Sequence, residues 1–280
     1  MIKLVLTDMD GTVVPFGKMS VSDRTIAAAH KLLDAGIAFG PATGRLSFDL
    51  ASYFRNDADC YQTGVFANGK MARYQGETIY SQPMDPNLMN RLIEALRDVD
   101  DCFGFVCTPD ERGGSTFSAV GTSRAKILSM VDDTLVPPDI AIIDELPDQP
   151  IYTMSLLFGD SLGSVEEAVQ KMQDIVPEFD YVCPSPHVLD VLPRGLSKAD
   201  GAVALIDYLG LSLDEVVFFG DADNDITTLE RLTQTFVVSN CSDAARKLGR
   251  WHIGDAADDA PAQIMEEIAA SGGQLPVIAR

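Results

Sequence analysis

Residues 4–15, LVLTDMDGTVVP, place two aspartates, Asp8 and Asp10, directly after a run of apolar residues. The apolar run has the composition of a short buried strand. Two carboxylates this close in the chain repel each other unless positive charge lies near them. The stretch therefore predicts a strand whose end carries a metal ion, an internal cation or water bound in a loop.

The residues that follow alternate between predicted helices and strands. A helix is predicted from about Ser22, a suitable N-cap, to Gly36. The stretch IAFGPATGR predicts a second strand, a turn at Gly40–Pro41 and the start of another helix, and VFANG predicts a third strand. This alternation is typical of a parallel sheet with helical crossovers.

The pattern changes between residues 83 and 189. A helix at PNLMNRLIEALRD precedes the strands CFGFVC, PIYTMSLLFGD and FDYVCPSPHVLDVLP, with loops rich in Gly, Pro and Asp between them. After this segment the alternation resumes, with helices at 197–209, 225–232 and 260–270 and strands at VVFFG and TFVVS. The predicted fold class is α/β, a doubly wound parallel-sheet core (1–82 and 190–280) with an inserted α/β domain (83–189).

Composition and charge narrow the class of protein. The chain has 280 residues and a formal net charge of −21, which argues against nucleic acid or an anionic membrane as partner. Five cysteines without a CxxC pair predict free thiols in a reducing compartment. No apolar run approaches the roughly 18 residues that span a bilayer. We therefore expect a cytoplasmic, soluble protein, whose oligomeric state the sequence does not predict.

Polar residues end three of the predicted core strands. Asp8 and Asp10 follow the first strand, Thr43 follows the second, and GDADND (220–225) ends VVFFG. Because ligands bind outside the carboxyl ends of parallel strands, we expect these side chains to share one edge of the sheet. The alternative is that they are ordinary polar loops. No G-x-S-x-G occurs and the histidines are scattered, which argues against a Ser-His-Asp hydrolase.

Lys198 supplies positive charge at the start of the predicted helix 197–209. A cation in the first turn opposes the helix dipole and costs about 0.3–1 kcal/mol, so it is either an exposed lysine or part of an anion site with the free backbone N–H groups. Thr43-Gly44-Arg45 offers a second such turn. Carboxylates alone repel phosphate, but Mg²⁺ held by hard oxygen ligands would bridge the two. The implied chemistry is phosphoryl transfer.

DMDGT, TGR, the lysine after GLS and GDADND, in this order, resemble the four motifs of the haloacid dehalogenase superfamily. They look most similar to its Cof-type sugar-phosphate phosphatases. ANG at 67–69 and SN at 239–240 also resemble short motifs of these relatives. The resemblance covers the two outer segments, and the inserted segment is similar to their α/β cap only in placement and size.

The resemblance implies a nucleophile, a general acid/base and a metal. Asp8 would form an aspartyl-phosphate, because a carboxylate is already ionised at pH 7. Asp10 would protonate the leaving alcohol and then activate water. Mg²⁺ would be held by Asp8, the backbone carbonyl of Asp10 and Asp221.

The resemblance also implies a phosphate site. Thr43, in the Thr43-Gly44-Arg45 turn, and Lys198 would bind the phosphoryl oxygens. Asn224 would add a phosphate contact, and Asp225 would orient Lys198 or a metal-bound water. Gly11 and Thr12 would shape the turn that lets the backbone approach the phosphate.

These expectations describe a Mg²⁺-dependent phosphomonoesterase for a small phosphorylated metabolite, in particular a sugar phosphate, with a cap that closes over the substrate. Two alternatives remain open, a phosphomutase or dedicated glycosyl-phosphate phosphatase on the same core, and a phosphometabolite sensor without turnover. Arg112, Ser115 and Arg124 are candidate substrate contacts of the inserted segment, although solvated polar loops explain them more simply.

Overall fold

The computed structural model describes residues 1–109, 115–131 and 140–277. It divides into two compact units, Met1–Ser81 with Ser197–Arg280, here the core unit, and Gln82–Leu196, here the inserted unit. The assignment of 83–189 as a cap domain stays a prediction. Arg112 and the side chain of Ser115 lie outside the described residues.

The first segment of the core unit contains five strands and one helix. They are β1 (Leu4–Thr7), α1 (Asp23–Asp34), β2 (Ala38–Pro41), β3 (Gly64–Phe66), β4 (Met71–Tyr74) and β5 (Glu77–Ser81). The predicted start of α1 is confirmed, because the Ser22 Oγ accepts a hydrogen bond from the Thr25 N–H at 3.0 Å.

Two predictions for the region after α1 are wrong. Gly40–Pro41 lies inside β2 instead of forming a turn, and Ser47–Leu50 forms a 3₁₀ turn in place of an α-helix. Gly40 is needed there because the neighbouring chain comes very close: a Cβ on Gly40 would lie 2.1 Å from the Thr63 carbonyl oxygen. Glycine often indicates a turn in a sequence, but here the absence of a side chain lets a neighbouring backbone pack against the strand.

The inserted unit contains a six-stranded sheet and three helices. They are α2 (Pro86–Arg97), β6 (Cys102–Pro109), β7 (Ser115–Val120), α3 (Arg124–Met130), β8 (Ala141–Ile142), β9 (Thr153–Phe158), α4 (Val165–Ile175), β10 (Phe179–Ser185) and β11 (Val188–Pro193). The strand order is β10-β11-β9-β6-β7-β8, antiparallel except for the β7–β8 pair. Apolar residues of α2 and α4 pack on one core of this sheet, and α3 packs on a second.

The chain returns to the core unit with four helices and three strands. They are α5 (Lys198–Tyr208), β12 (Val216–Gly220), α6 (Ile226–Arg231), β13 (Gln234–Val237), α7 (Asp243–Leu248), β14 (Trp251–His252) and α8 (Ala260–Ala270). The strands of this segment pair in parallel with one another and with β1.

The five-stranded parallel sheet has the order β14-β13-β12-β1-β2 and apolar layers on both faces. Val5 of β1 belongs to the layer that includes α1 and α8, whereas its neighbours Leu4 and Leu6 belong to the layer that includes α5. Because side chains alternate between the faces of a strand, a strand covered on both sides must be apolar throughout. The predicted doubly wound α/β core is confirmed.

The third predicted strand differs from the expectation of a purely parallel sheet. β3 pairs with β4 and β4 with β5, both antiparallel, so these strands form a separate three-stranded sheet. A single parallel bridge between Ala42 and Val65 links β3 to the end of β2.

The order of the parallel strands sets the position of the site. From β1 the chain continues to β2 on one side, while β12, β13 and β14 extend on the other. The crevice outside the carboxyl ends of β1 and β12 is therefore the switch point at which such sheets bind ligands. Among the described residues, no helix is both long and apolar enough to cross a membrane.

Candidate active site

The loop after β1 begins at Asp8, which still belongs to the hydrogen-bond ladder of the sheet. Its N–H donates to the carbonyl of Phe219 in β12 at 2.8 Å, so Asp8 lies beside the end of β12. The carbonyl of Met9 then accepts hydrogen bonds from the N–H groups of Thr12, Val13 and Val14 at 3.3, 3.0 and 2.8 Å. This tight turn brings the chain back across the carboxyl end of the sheet.

Gly11 and Thr12 attach this turn to Asp221, the residue after β12. Gly11 has φ +86°, and a Cβ there would lie 2.3 Å from the Asp221 Oδ2. The Thr12 hydroxyl donates to the Asp221 Oδ1 at 2.6 Å. Asn240 donates from its Nδ2 to the Gly11 carbonyl at 2.7 Å. The end of β1 is thus joined to the end of β12: Gly11 leaves space for the Asp221 carboxylate, and the Thr12 hydroxyl binds it.

Lys198 extends into the crevice and is completely buried. Its Nζ lies 2.7 Å from the Asp8 Oδ1 and 2.5 Å from the Asp225 Oδ1. The other oxygen of Asp225 accepts from the N–H groups of Asp221 and Ala222 at 2.9 and 3.2 Å. The alternative of an exposed lysine is therefore wrong, and both oxygens of Asp225 have partners.

Helix α5 can deliver Lys198 because two glycines let it approach the Ala67–Gly69 turn. A Cβ on Gly201 would lie 2.9 Å from the Gly69 Cα, and a Cβ on Gly69 would lie 2.0 Å from the Ser197 carbonyl oxygen. At the helix start, the Asp200 carboxylate accepts from the Ser197 N–H at 2.7 Å. Asp200 thus caps the start of α5, and the group that α5 presents to Asp8 is the Lys198 amine.

The crevice has more negative than positive charge. Oxygens of Asp8, Asp221 and Asp225 lie within 4.8 Å of one another, and Lys198 is the cation among them. Burial, reinforced by the charge of Asp225, raises the pKa of Asp8 well above its usual value. Burial also raises the pKa of Asp221 to about 7, although its hydrogen bond from Thr12 opposes the shift.

Lys198 has the opposite environment. Burial alone lowers the pKa of a lysine, but the charges of Asp225 and Asp8 outweigh burial, so the pKa of Lys198 is raised. The lysine therefore stays charged while part of the carboxylate charge remains uncompensated.

A divalent cation fits this donor set. The Asp8 Oδ2 and the Asp221 Oδ2 accept no hydrogen bond from the part of the chain that the structure describes. Both atoms belong to buried, hard carboxylates beside an excess of negative charge, which is the environment that Mg²⁺ and similar ions occupy. The acidic cluster can thus hold a metal, with Asp225 reserved for Lys198 and the backbone.

Without a divalent cation, the free energy of unfolding is expected to fall as pH rises from about 4 to about 7. The raised pKa of Asp221 means that the folded state binds this proton more tightly than the unfolded chain, whose carboxyl has a pKa near 3.8. The stabilisation is complete below the unfolded pKa and is lost as pH passes the folded value of about 7, by at most about 1.4 kcal/mol per pH unit.

Unfolding in urea with EDTA, measured at a series of pH values, tests this prediction. Asp221→Asn should make the loss smaller, because only the raised pKa of Asp8 then contributes to it, whereas Asp223→Asn at the exposed neighbouring position should leave the loss unchanged. Added Mg²⁺ should remove it, because bound metal replaces the proton. Equal slopes in Asp221→Asn and Asp223→Asn would contradict the assignment.

Asp10 lies outside the buried cluster, and its side chain is held by Arg45. The guanidinium donates from Nε and Nη2 to the two carboxylate oxygens of Asp10, each at 3.0 Å. The same guanidinium stacks 4.5 Å above the ring of Tyr53. Arg45 is therefore fixed between a carboxylate and an aromatic ring, and it orients Asp10 at the rim of the crevice.

The predicted phosphate-binding residues lie on the adjacent elements. Thr43 follows β2, is buried, and its Oγ1 accepts from the Arg45 N–H at 3.2 Å. A Cβ on Gly44 would lie 3.0 Å from the Asn68 Nδ2, so a side chain there would require the Asn68 amide to shift. The Oδ1 of Asn224 is buried without a hydrogen-bond partner among the described residues.

Two contributors to the site were not predicted from the sequence. Tyr53 supports Arg45, and Asn240 joins the Gly11 carbonyl to the Ala256 N–H, to which its Oδ1 is an acceptor at 3.1 Å. Asn240 belongs to the SN motif, but no role was predicted for it, and nothing in the sequence indicated Tyr53.

Comparisons with known proteins agree with this architecture. The model of the haloacid dehalogenase-like hydrolase family matches residues 5–265. The chain is 24% identical over 258 residues to the 5-amino-6-(5-phospho-D-ribitylamino)uracil phosphatase YbjI of Escherichia coli, covering 90% of this chain and 91% of that protein. It is 26% identical to an HMP-PP phosphatase of Yersinia pseudotuberculosis, covering 86% and 85%. A solved subclass IIB sugar phosphatase of the superfamily has the same fold, with a TM-score of 0.76 at 18% identity, covering 95% of this chain and 98% of that one.

The fold and the site together define an α/β enzyme with a carboxylate cluster able to hold a cation at the switch point of a parallel sheet. The chain belongs to the haloacid dehalogenase-like hydrolase family. The resemblance to Cof-type phosphatases that the four motifs predict is thereby confirmed.

Proposed function

We propose that the chain is a Mg²⁺-dependent phosphomonoesterase that acts through a phosphorylated Asp8. The observation that carries this proposal is the environment of the Asp8 carboxylate. One oxygen is held by the Lys198 ammonium at 2.7 Å, the other accepts no hydrogen bond from the described residues, and Asp221 lies beside it. A buried carboxylate between an ammonium and a metal-binding carboxylate is suited to attack a phosphoryl group.

In the first step the Asp8 Oδ1 attacks phosphorus and the bond from phosphorus to the alcohol oxygen breaks. Lys198 stabilises the charge on the phosphoryl oxygens, because its amine already lies against the attacking atom. For this step Asp10 takes up a proton and releases one oxygen from Arg45, and it then gives that proton to the departing alkoxide. The products of the step are the alcohol and an acyl phosphate on Asp8.

In the second step water attacks the phosphorus of the acyl phosphate and Asp10 removes a proton from that water. The bond from phosphorus to the Asp8 oxygen breaks, which regenerates the carboxylate and releases inorganic phosphate. Over both steps Asp10 loses and regains one proton. A carboxylate at the rim, 51% exposed, can exchange that proton with the substrate side of the crevice.

The remaining groups bind the phosphate and the metal. Mg²⁺ would be held by the Asp8 Oδ2, the Asp221 Oδ2 and the Asp10 carbonyl, and when bound it supplies the positive charge that lets a phosphate dianion approach carboxylates. The buried Thr43 hydroxyl is assigned as a donor to a phosphoryl oxygen, and the unpaired Asn224 Oδ1 is assigned as an acceptor from a water molecule bound beside the phosphate. The Gly44 N–H completes this assignment, because the N–H groups of Thr43 and Arg45 already donate to the Val65 carbonyl and to the Thr43 Oγ1.

For the substrate we propose a small phosphorylated metabolite, in particular a sugar phosphate. The support comes from the relatives, which include a phosphatase of a phosphoribityl compound and, by fold, a sugar phosphatase. The net charge of −21 is compatible with a small ligand and unfavourable for a polyanionic one. A cytoplasmic location stays a prediction from the sequence.

Phosphate release from p-nitrophenyl phosphate, with Mg²⁺ and with EDTA, tests the proposed chemistry. We expect release with Mg²⁺ and none with EDTA, and a panel of sugar phosphates, nucleotides and cofactor phosphates should then rank the substrates. Absence of release from every compound would reject the phosphatase assignment. Isomerised product in place of phosphate from a sugar bisphosphate would identify a phosphomutase.

Arg45→Lys is expected to lower kcat by about tenfold to a hundredfold with little change in KM. Lysine cannot make the paired hydrogen bonds to Asp10 or stack on Tyr53 in the same way, so the acid/base carboxylate loses its orientation. Steady-state kinetics on the best substrate of the panel measures the effect.

Arg24→Lys is the matched control for this substitution. Arg24 also donates two hydrogen bonds to one carboxylate, that of Glu266, but it lies on α1, away from the crevice. Its replacement should leave kcat unchanged. A similar loss in both variants would show that the effect of Arg45→Lys is not specific to Asp10.

A further inference from the structure

A second group of potential metal ligands lies in the core unit, apart from the acidic cluster. It consists of His30 on α1, Asp57 just before a 3₁₀ turn and Cys60 at the end of that turn, and it is here called the His30 cluster. One ligand atom from each of the three residues lies within 4.8 Å of the others. The His30 cluster shares no residue with the group formed by Asp8, Asp221 and Asp225.

The spacing of Asp57 and Cys60 explains why both face the same way. Asp57 precedes the 3₁₀ turn Ala58–Cys60, and its carbonyl accepts from the Cys60 N–H at 3.1 Å. With three residues per turn, positions i and i+3 of a 3₁₀ turn lie directly above one another. Both side chains therefore face α1, where the His30 Nε2 lies 2.7 Å from the Asp57 Oδ2.

The three positions differ in burial in a way that suits a bound ion. Cys60 is fully buried, whereas the side chains of His30 and Asp57 are 41% and 30% exposed. The Cys60 thiol is therefore the innermost group of the cluster, and the His30 imidazole and the Asp57 carboxylate lie on its solvent side. An ion could enter from solvent and retain a water molecule on that side. Asp59 and Asp34 lie near enough to His30 to add negative potential.

The donor types select the class of cation. One imidazole nitrogen, one carboxylate oxygen and one thiolate sulfur form a set that Zn²⁺ accepts and Mg²⁺ does not. Around a tetrahedral Zn²⁺, with bonds of about 2.0–2.3 Å, neighbouring ligand atoms are roughly 3.3–3.8 Å apart. To bind the ion, the His30 Nε2 and the Asp57 Oδ2, now 2.7 Å apart, would move slightly apart. The other ligand atoms, which lie within 4.8 Å of one another, would move closer by at most about an ångström.

We infer that the His30 cluster is a binding site for Zn²⁺ or a similar borderline divalent cation, with His30, Asp57 and Cys60 as ligands and water in the fourth position. On binding, the Cys60 thiol proton passes to solvent and a bond from sulfur to zinc forms, with no change in oxidation state. The ion joins α1 to the turn before β3 and thereby stabilises one face of the core unit.

Cobalt substitution tests this inference directly. The full-length, reduced protein is titrated with Co²⁺, and the thiolate-to-cobalt charge-transfer band in the near ultraviolet is recorded. We expect a band that saturates at about one equivalent, has the intensity of a single thiolate ligand, and disappears when Zn²⁺ displaces Co²⁺. The acidic cluster offers only oxygen atoms, so Co²⁺ bound there gives no such band, and the result does not depend on the phosphatase proposal.

Three variants make the test specific. Cys60→Ser should abolish the band, and His30→Gln, at a half-exposed position that tolerates change, should weaken Co²⁺ binding by at least about tenfold. Cys102→Ser is the matched control, because Cys102 is equally buried and burial raises the pKa of both thiols to about 12, yet Cys102 belongs to no metal-ligating group among the described residues. It should bind Co²⁺ like the unmodified protein.

A thermal measurement guards against misfolding of the variants. With saturating Mg²⁺ present to fill the acidic cluster, Zn²⁺ should raise the Tm of the unmodified protein and of Cys102→Ser clearly more than the Tm of a folded His30→Gln. Absence of the band in the unmodified protein, or its persistence in Cys60→Ser, would overturn the inference. His30 and Asp57 would then be an ordinary ion pair beside a core thiol.

Discussion

Asp8→Asn is expected to lower kcat by about 10⁴-fold or more while the protein remains folded. The amide oxygen is neutral and a poor nucleophile, so no acyl phosphate forms, and the fraction of phosphorylated protein after rapid quenching should fall to background. The fold should survive because Lys198 keeps its second partner, Asp225, at 2.5 Å. The substitution also removes one of the buried negative charges that oppose one another in the absence of metal.

The measurement is kcat with saturating Mg²⁺, together with the urea midpoint of the same samples. Asp207→Asn, an exposed carboxylate on α5, is the control and should keep full activity. Activity of Asp8→Asn within about tenfold of the unmodified protein would be incompatible with a nucleophilic Asp8. If Asp8→Asn does not fold, its loss of activity is uninformative and Asp8→Glu replaces it. Glutamate keeps the negative charge beside Lys198 but moves the carboxylate oxygens, so Asp8→Glu should be folded and inactive.

Lys198→Met is expected to have the largest effect on stability, about 3–5 kcal/mol at pH 7 in EDTA. Methionine fills much of the same volume but leaves the carboxylates of Asp8 and Asp225 buried without their shared cation. Turnover should also be lost, because no ammonium remains to stabilise the phosphoryl oxygens.

Two dependences identify the cause of this effect. The destabilisation should shrink as pH falls below 7, because the raised pKa of Asp8 favours the neutral carboxyl, and it should also shrink on addition of Mg²⁺. Lys31→Met is the control, since Lys31 forms an exposed ion pair with Glu266, and such pairs contribute at most about 1 kcal/mol. Lys198 would not be the internal cation if Lys198→Met and Lys31→Met were destabilised equally, or if the destabilisation of Lys198→Met did not change with pH.

The strands and the order of the motifs could be predicted from local sequence. β1 and β12 are buried at every position because both faces of each are covered, and Thr7 at the end of β1 is the one polar side chain in the two strands. Their ends, and the acidic residues that follow, therefore stand out. The start of α1 was also predictable, because an N-cap bond joins residues only three apart.

Predictions failed where a residue serves a distant neighbour. Gly40 and Pro41 have turn chemistry, but the close approach of the Thr63 carbonyl places them within a strand. The antiparallel pairing of β3 and β4 was missed because hydrophobic pattern indicates which side of a strand is buried and does not name the strand beside it.

The sequence by itself determined the class of the fold, the family resemblance and the set of polar residues at the strand ends. Only the tertiary structure decided which atoms of that set are engaged. Lys198 binds Asp8 across 190 positions of chain, Thr12 binds Asp221 across 209, and Arg45 holds Asp10 instead of standing free in an anion-binding turn. A hydrogen bond requires a donor and an acceptor about 3 Å apart and well aligned, and that geometry arises only when the strands pair and α5 packs against the Ala67–Gly69 turn.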